Sequence, residues 1–299
     1  MTDLTFVDRL EQGCTDKGSP LCVGLDPSPA LMPGWAVPQG GPDRVGQALE
    51  DWCRCILDAV APHVAVVKPQ SAYFERHGWV GARALERTCV YARHLGLTVI
   101  LDAKRGDIGA TSEAYADAYL SVDGEGAIDV DALTVSPYLG GDSLEAFARG
   151  ASRSGKGIFV CVLTSNPGRT DLQTRPVDGR PGYLRVADLV AALAAVDGGS
   201  STTMTLMGAV VGSTTGAAAE IREVLPRSVL LVPGLGAQGG SLDGLRDART
   251  SGFGGLVVSS SRSVTYPHRP AGSWTELGEA VSGLVRRHVD ALIDGGLGC

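Results

Sequence analysis

The sequence predicts an α/β fold: a single (β/α)8 barrel, or TIM barrel, spanning residues 1–299, with its active site at the C-terminal ends of the strands. Eight short apolar or β-branched runs recur along the chain, helical periodicity fills most intervals, and no linker divides them. Apolar strands separated by helices are typical of a parallel sheet covered by helices. Eight such units in about 250 residues match the size of a closed barrel. An open doubly wound sheet is the alternative, because a count of strands does not show closure.

The predicted strands share an apolar or β-branched composition and are bounded by turn residues. In chain order they are 21–26, 63–68, 97–102, 131–136, 157–163, 206–212, 228–234 and 254–260. Apolar residues at i, i+3 and i+4 predict helices between them, over 44–60, 80–96, 111–120, 142–151 and 185–196. The Pro- and Gly-rich segments 26–43 and 164–182 are predicted as long loops after the first and fifth strands, and long loops at that end of a barrel are often functional.

Charge and composition exclude several classes of partner. A net charge of −7 and a pI near 5.3 leave no basic face for nucleic acid or an anionic membrane, but allow a small anionic substrate. The first residues, "MTDLTFVDRL", lack the basic and apolar regions of a signal peptide, and no apolar stretch approaches a membrane span, so a cytoplasmic location is expected. The seven cysteines and five histidines show no metal-ligand spacing. The cysteines are interpreted as reduced, mostly structural thiols, and the histidines as surface or hydrogen-bonded core residues.

Polar or charged residues end several of the predicted strands. Asp26, Lys68, Asp102 and Ser136 close four of them, and Lys104 lies two residues beyond the third. In a barrel these ends converge on one mouth. One such residue alone is more simply a helix cap or a rim ion pair, whereas four together indicate a site.

Asp102 and Lys104 are expected to point in the same direction, because side chains in extended backbone alternate between two faces. Lys68, on the neighbouring strand, can then reach Asp102 from the other side. The result would be a Lys68–Asp102–Lys104 row, in which each buried charge gains an opposite neighbour.

Two segments late in the chain predict an anion site. "PGLGAQGG" (233–240) is a glycine-rich turn after the seventh strand, and its amides, at Gly234 and Gly236 for example, can approach an anion closely. "SSSRSV" (259–264), after the eighth strand, adds hydroxyls and Arg262. Loops at these positions of a barrel commonly hold phosphate, and arginine can bind phosphate through two hydrogen bonds.

The D-x-K-x-x-D-I pattern at 102–108 resembles the signature of the orotidine 5′-phosphate decarboxylases. Further motifs resemble the long-form bacterial (type 2) group of that family: "GLDPSP", "VVKPQSAYFE", "LDAKRGDIGATSEAYA", "LTVSPYLGGDSLE", "TSNPG", "PGLGAQGG" and "SSSR". They follow one another from about residue 20 to 270. The resemblance implies decarboxylation of orotidine 5′-phosphate to UMP and CO2 in de novo pyrimidine biosynthesis, with neither metal nor organic cofactor.

The resemblance also implies a role for each matching position. The catalytic charge network would be Lys68, Asp102, Lys104 and Asp107, with Asp107 supplied by the other subunit of a homodimer. The substrate-binding positions would be Asp26 and Thr111 on the ribose, with Thr111 also crossing the interface, Ser136 on the pyrimidine edge, Gln238 and Arg262 over base and phosphate, and Ile108, Gly234 and Gly236. Ser261 departs from the short-form members, which have glycine before this arginine.

The chemistry of the implied reaction agrees with these residue types. Loss of CO2 from C6 leaves an electron pair orthogonal to the ring π system, so the pair needs electrostatic stabilisation and rapid protonation. Lys104 is the candidate for both tasks. Three alternatives stay open: a Mg²⁺-dependent sugar-phosphate decarboxylase or aldolase of the same superfamily, which has Glu in place of Lys68; a Schiff-base aldolase; and a non-catalytic phosphate-binding barrel.

Overall fold

In a computed structural model, the eight predicted strands form a closed parallel barrel. The structure describes residues 4–37, 40–122, 126–196, 204–234, 243–269 and 271–299. Its strands are β1 (Leu21–Leu25), β2 (Val66–Pro69), β3 (Thr98–Arg105), β4 (Ala132–Val135), β5 (Gly157–Leu163), β6 (Pro176–Val177), β7 (Arg180–Pro181), β8 (Thr205–Val211), β9 (Ser228–Pro233) and β10 (Leu256–Ser260). All but β6 and β7 belong to the barrel, and β1 pairs with both β2 and β10. The predicted barrel is confirmed, and the open sheet is wrong.

Helices cover the outside of the barrel and one of its ends. They are α1 (Phe6–Lys17), α2 (Pro42–Val60), α3 (Ser71–Glu75), α4 (Gly78–His94), α5 (Gly109–Leu120), α6 (Gly141–Ser154), α7 (Arg169–Leu172), α8 (Gly182–Val196), α9 (Ala218–Val224), α10 (Asp243–Arg246), α11 (Arg262–Thr265) and α12 (Trp274–Leu292). The five predicted helices correspond to α2, α4, α5, α6 and α8, each within three residues of its predicted bounds. No helix in the described ranges has the length and apolar character needed to cross a membrane.

The first helix, α1, closes the end of the barrel where the strands begin, and it is not among the helices that the periodicity predicts. Thr5 and Asp8 cap its N-terminus reciprocally, which satisfies donors that the first turn leaves free. Phe6 then packs edge-on against Phe159 of β5, with ring centroids 5.8 Å apart. A Cβ at Gly157 would collide with the Phe6 ring. Because α1 closes this end, the open mouth of the barrel is the opposite end, where the strands finish.

Asp131 is buried at the same closed end, directly before β4. Its carboxylate accepts the Val99 backbone N–H at 2.8 Å and the Arg9 guanidinium at 2.7 Å. The side chain therefore joins α1, β3 and β4 through one charge-assisted pair and one backbone hydrogen bond. Both of its oxygens have partners, as buried carboxylates require.

The two segments predicted as long loops differ in the structure. In 26–41, the short turn Gly34–Ala36 carries Trp35, whose indole N–H donates to the Ala271 carbonyl at 2.6 Å. The second segment, 164–182, holds secondary structure of its own: α7 and the antiparallel β6–β7 hairpin. The Gln173 side chain folds it back, because it accepts the Thr164 N–H and donates to the Thr164 hydroxyl, both at 2.8 Å.

Candidate active site

A row of alternating charges lies at the mouth, where β2 and β3 end. Lys68 Nζ is 2.9 Å from Asp102 Oδ2, and Lys104 Nζ is 2.5 Å from Asp102 Oδ1. The two lysines differ in exposure: 6% of the Lys68 side chain is accessible to solvent against 48% of Lys104. The Lys–Asp–Lys arrangement expected from the sequence is therefore present, with one enclosed lysine and one that reaches solvent.

The charges of the row stabilise one another. Burial works against ionisation of Asp102, but the two neighbouring ammonium groups outweigh it and hold its pKa well below the usual range. Burial likewise works against protonation of Lys68, but Asp102 and Asp26 outweigh it and raise its pKa above the usual range. Both groups are therefore charged near neutral pH, and the row presents fixed charges to whatever binds beside it.

Lys104 reaches Asp102 by a route that the sequence does not predict. Its backbone is not extended: φ is 48°, in the left-handed region. The register between β3 and β4 shifts at this point, so that residues 102–104 of β3 lie opposite Thr134 alone. A non-glycine residue in this conformation costs about 1–3 kcal/mol. The predicted contact between the Asp102 and Lys104 side chains is present. It arises from a bulge in β3, and not from the regular alternation of side chains along a strand.

Asp26 follows β1 and lies beside the charge row. Its Oδ1 is buried and has no hydrogen-bond partner among the described residues. Burial raises the pKa of Asp26, opposed by the charge of Lys68 and a hydrogen bond from Ser261. A Cβ at Gly24 would collide with the Ser261 hydroxyl, so glycine is required for this close approach. Among the described residues, the buried Oδ1 of Asp26 is thus an unsatisfied hydrogen-bond acceptor beside the charge row, which is rare for a buried polar group.

The predicted anion site is described in part. Arg262 is exposed and is the first residue of α11. Its positive charge acts to lower the pKa of Asp26. Gly234 follows β9 with φ of 101°, and its N–H donates to the Ser259 carbonyl at 3.3 Å. Gly236 and Gln238 lie outside the described residues.

Asp107, Ile108 and Thr111 lie on the rim, at the start of α5. The Asp107 carboxylate accepts the Ile108 N–H at 2.8 Å, and the Ile108 side chain is 60% exposed. Thr111 is also exposed. Within the described ranges, the ion pairs of Lys68 and Lys104 are made with Asp102 and not with Asp107. In the described part of the chain, Asp107 therefore makes no ion pair with the two lysines of its own chain's row.

A cavity of about 160 Å³ opens beside the row. It is lined by Lys68, Asp102, Lys104, Thr134, Thr164, Ser165, Val210, Leu231 and Pro233. The lining combines fixed charges, hydroxyls and an apolar wall, which suits a small polar ligand. A larger groove, of about 770 Å³, lies outside the barrel between α5, α6 and α8 and includes no lysine.

Three hydroxyl residues of this lining are absent from the sequence-based candidates. Thr164 and Ser165 directly follow β5, so the strand-end criterion that selects Ser136 also selects them. Thr134 is a polar residue inside the apolar run "DALTVS". Ser136 is not part of the lining; its backbone N–H donates to the Arg105 carbonyl at 2.8 Å.

The fold and the site together define a (β/α)8-barrel enzyme with a lysine–carboxylate network at its mouth. Residues 19–277 match the profile of the orotidine 5′-phosphate decarboxylase / HUMPS family. The chain belongs to this family, which confirms the resemblance found in its motifs.

Curated relatives and solved structures agree with this assignment. The orotidine 5′-phosphate decarboxylase of Rhodopirellula baltica is 44% identical, covering 89% of this chain and 90% of its own length. That of Nocardioides is 42% identical, with 87% and 92% covered. The structure of Leishmania donovani OMP decarboxylase aligns with a TM-score of 0.72 at 31% identity, covering 95% of this chain and 99% of its own.

Proposed function

We propose that the barrel mouth decarboxylates orotidine 5′-phosphate by electrostatic stabilisation and protonation at C6, with neither metal nor organic cofactor. The activity is that of an orotidine 5′-phosphate decarboxylase, a carboxy-lyase of pyrimidine biosynthesis that forms UMP. The observation that carries the mechanism is the row in which two lysines contact one buried carboxylate, beside a cavity of substrate-binding character.

The chemical step requires a cation next to C6 and a proton to deliver. When the bond from C6 to the carboxylate breaks, CO2 leaves and the electron pair stays on C6. The Lys104 ammonium stabilises that charge and then donates a proton to C6, giving UMP. Lys104 is half exposed, so solvent can restore its proton. Lys68, enclosed on the other side of Asp102, keeps the carboxylate charged and fixed in place.

Asp102 has two effects on the bound substrate. Its negative charge, placed beside the substrate carboxylate, disfavours the ground state, and its contact with Lys104 Nζ at 2.5 Å holds the proton donor in position. The repulsion disappears as CO2 departs, whereas the contact with Lys104 persists. Loss of the repulsion therefore favours the transition state over the bound substrate, and the persistent contact keeps the proton donor beside C6.

Substrate binding is assigned to groups around the row. The unpartnered Oδ1 of Asp26 is an acceptor for a ribose hydroxyl. Arg262, with the backbone at Gly234 and Gly236, is assigned to the phosphate, and Gln238 closes over base and phosphate. The contact with the pyrimidine edge, which the resemblance implies for Ser136, is assigned instead to Thr164 and Ser165, because these two residues line the cavity.

The magnesium-dependent alternative is disfavoured by Lys68. A buried ammonium 2.9 Å from Asp102 would oppose a divalent cation at the same carboxylate. The test is the loss of orotidine 5′-phosphate absorbance on adding EDTA-treated protein, with and without restored Mg²⁺. Full activity after chelation is expected. Activity that returns only with metal would contradict the cofactor-free mechanism, and no turnover in either condition would contradict the decarboxylase assignment.

The assembly proposed is a homodimer in which Asp107 and Thr111 complete the partner's site. The proposal is supported by the position of both residues on the rim beside the exposed Ile108, and by the absence of an ion pair between Asp107 and the lysines of its own chain's row within the described residues. The test mixes Asp102→Ala and Asp107→Ala chains after joint unfolding and refolding. Each homodimer is expected to be nearly inactive.

In a mixed dimer one site carries both defects and the other carries neither. Random reassortment therefore restores roughly a quarter of wild-type activity. Mass spectrometry confirms that mixed dimers have formed. Mixed dimers without recovered activity would place Asp107 in its own chain's site or outside the site.

A further inference from the structure

Asp102 and Lys104 both lie in the bulge between β3 and β4. A single hydroxyl, that of Thr134, accepts the backbone hydrogen bonds of this bulge. Three residues of β3 lie opposite Thr134, so the regular ladder cannot satisfy their backbone groups. The N–H groups of Ala103 and Lys104 both donate to Thr134 Oγ1, each at 2.9 Å. The side chain thus replaces the backbone acceptor that a regular strand would supply.

The same hydroxyl also orients the carboxylate of the charge row. Thr134 Oγ1 donates to Asp102 Oδ1 at 3.0 Å, and that oxygen also accepts from Lys104 Nζ. A threonine hydroxyl has one proton and two lone pairs, so these three hydrogen bonds use its full capacity. Thr134 is only 1% exposed, and water cannot easily take over its partners.

We infer that Thr134 is a positioning residue for the decarboxylation, setting the place of the Lys104 ammonium through its backbone and that of the Asp102 carboxylate through its oxygen. The inference rests on the proposed function, in which Lys104 protonates C6. The Thr134 hydroxyl has no bonding capacity left for the substrate, so its effect passes through these two residues. Lys104 has a left-handed φ of 48°, a conformation that is unfavourable for a residue with a side chain. The hydrogen bonds from the Ala103 and Lys104 N–H groups to Thr134 stabilise this conformation.

The test compares Thr134→Val, which keeps the shape and removes the hydroxyl, with Thr134→Ser, which keeps the hydroxyl. Because a displacement of about 1 Å can cost on the order of 100-fold in rate, Thr134→Val is expected to lower kcat about 100-fold. UMP affinity and KM should change less than about threefold, since the groups assigned to ribose and phosphate are untouched. Thr134→Ser is expected to stay within about fivefold of wild-type kcat.

Thr88→Val is a matched control. Thr88 is as deeply buried as Thr134, and its hydroxyl donates to the Ala84 carbonyl at 2.7 Å within α4. It should lower Tm and leave kcat of the folded protein unchanged. A crystal structure of Thr134→Val should show Lys104 with a negative φ or its ammonium away from Asp102. If Thr134→Val does not fold, Thr134→Ala serves as the hydroxyl-free variant.

Wild-type turnover separates the two possible failures. If the wild-type protein does not consume orotidine 5′-phosphate, the proposed function is wrong. If the wild-type protein is active and Thr134→Val keeps its kcat, or loses activity only through KM, the positioning role is wrong. Equal losses in Thr134→Val and Thr134→Ser would also overturn it, because the hydroxyl would not be the cause.

Discussion

Asp102 lies at the mouth, near the end of β3, and Asp131 lies at the closed end, just before β4; both carboxylates are buried. Asp131 is bound by a backbone N–H and by Arg9 on α1, and it faces no cavity among those described. Asp102 is bound by two lysines and a hydroxyl and lines a cavity. The same residue type therefore joins structural elements at one end of the barrel and presents charge to a ligand at the other.

The largest expected effect is at the mouth. Lys104→Ala removes the proposed proton donor and the cation beside C6, so kcat should fall by at least about 10⁴-fold. Tm should change little, because the side chain is half exposed and outside the packed core. Turnover and a thermal melt measure the two. Lys17→Ala, which changes a half-buried lysine on α1 far from the mouth, is the control. Near wild-type turnover by Lys104→Ala would show that another group is the acid.

The next effect belongs to the closed end. Asp131→Ala leaves the Val99 N–H unpartnered and Arg9 without its carboxylate, which should lower the free energy of unfolding by about 3 kcal/mol. Urea denaturation measures the loss. The kcat of the folded fraction should equal that of wild type. If Asp131→Ala had normal stability but a low kcat, Asp131 would have a catalytic role, and the functional difference between the two ends of the barrel would be wrong.

Arg262→Ala should produce a smaller loss at the mouth. Removing one charge-assisted hydrogen-bond donor from the phosphate should lower kcat/KM about 10- to 50-fold. Orotidine, which lacks the phosphate, provides the comparison substrate, and its slow decarboxylation should be nearly unaffected. Equal losses with both substrates would count against a phosphate-binding role.

The smallest effect concerns acid stability. The lysines lower the pKa of Asp102 in the folded protein, so its ionised form contributes stability that is present above its unfolded pKa of about 3.9 and is lost as pH falls toward the folded value. Unfolding free energies measured between about pH 5 and 2 should therefore fall less steeply for Asp102→Asn than for wild type. Parallel curves would show that the row does not couple protonation to folding.

The sequence predicts the barrel and the charge row because both depend on local patterns. Each strand is an apolar run that can be read by itself, and Lys68 and Asp102 end neighbouring strands, so the topology alone brings them together. The bulge at Lys104 is different. It depends on a hydroxyl that is 30 residues away along the chain, and strand periodicity contains no information about that contact.

Other features elude the sequence for related reasons. α1 precedes the first strand and so falls outside the strand–helix alternation, and its packing depends on the absence of a side chain at Gly157. The segment 164–182 is rich in turn residues, yet it folds on itself through two hydrogen bonds between Gln173 and Thr164. In both cases tertiary contacts outweigh local composition.

The pairing of β1 with β10 connects the two ends of the chain, with Leu21 opposite Val258. Such long-range pairing is intrinsically slow to form, because the loop it closes spans most of the polypeptide. Asp26 follows one of these strands and Arg262 the other, so the two residues proposed to bind ribose and phosphate come together only when the last barrel strand has been made and has paired. Barrel closure and the meeting of these two residues therefore depend on one strand pairing, so a chain truncated before β10 would lack both.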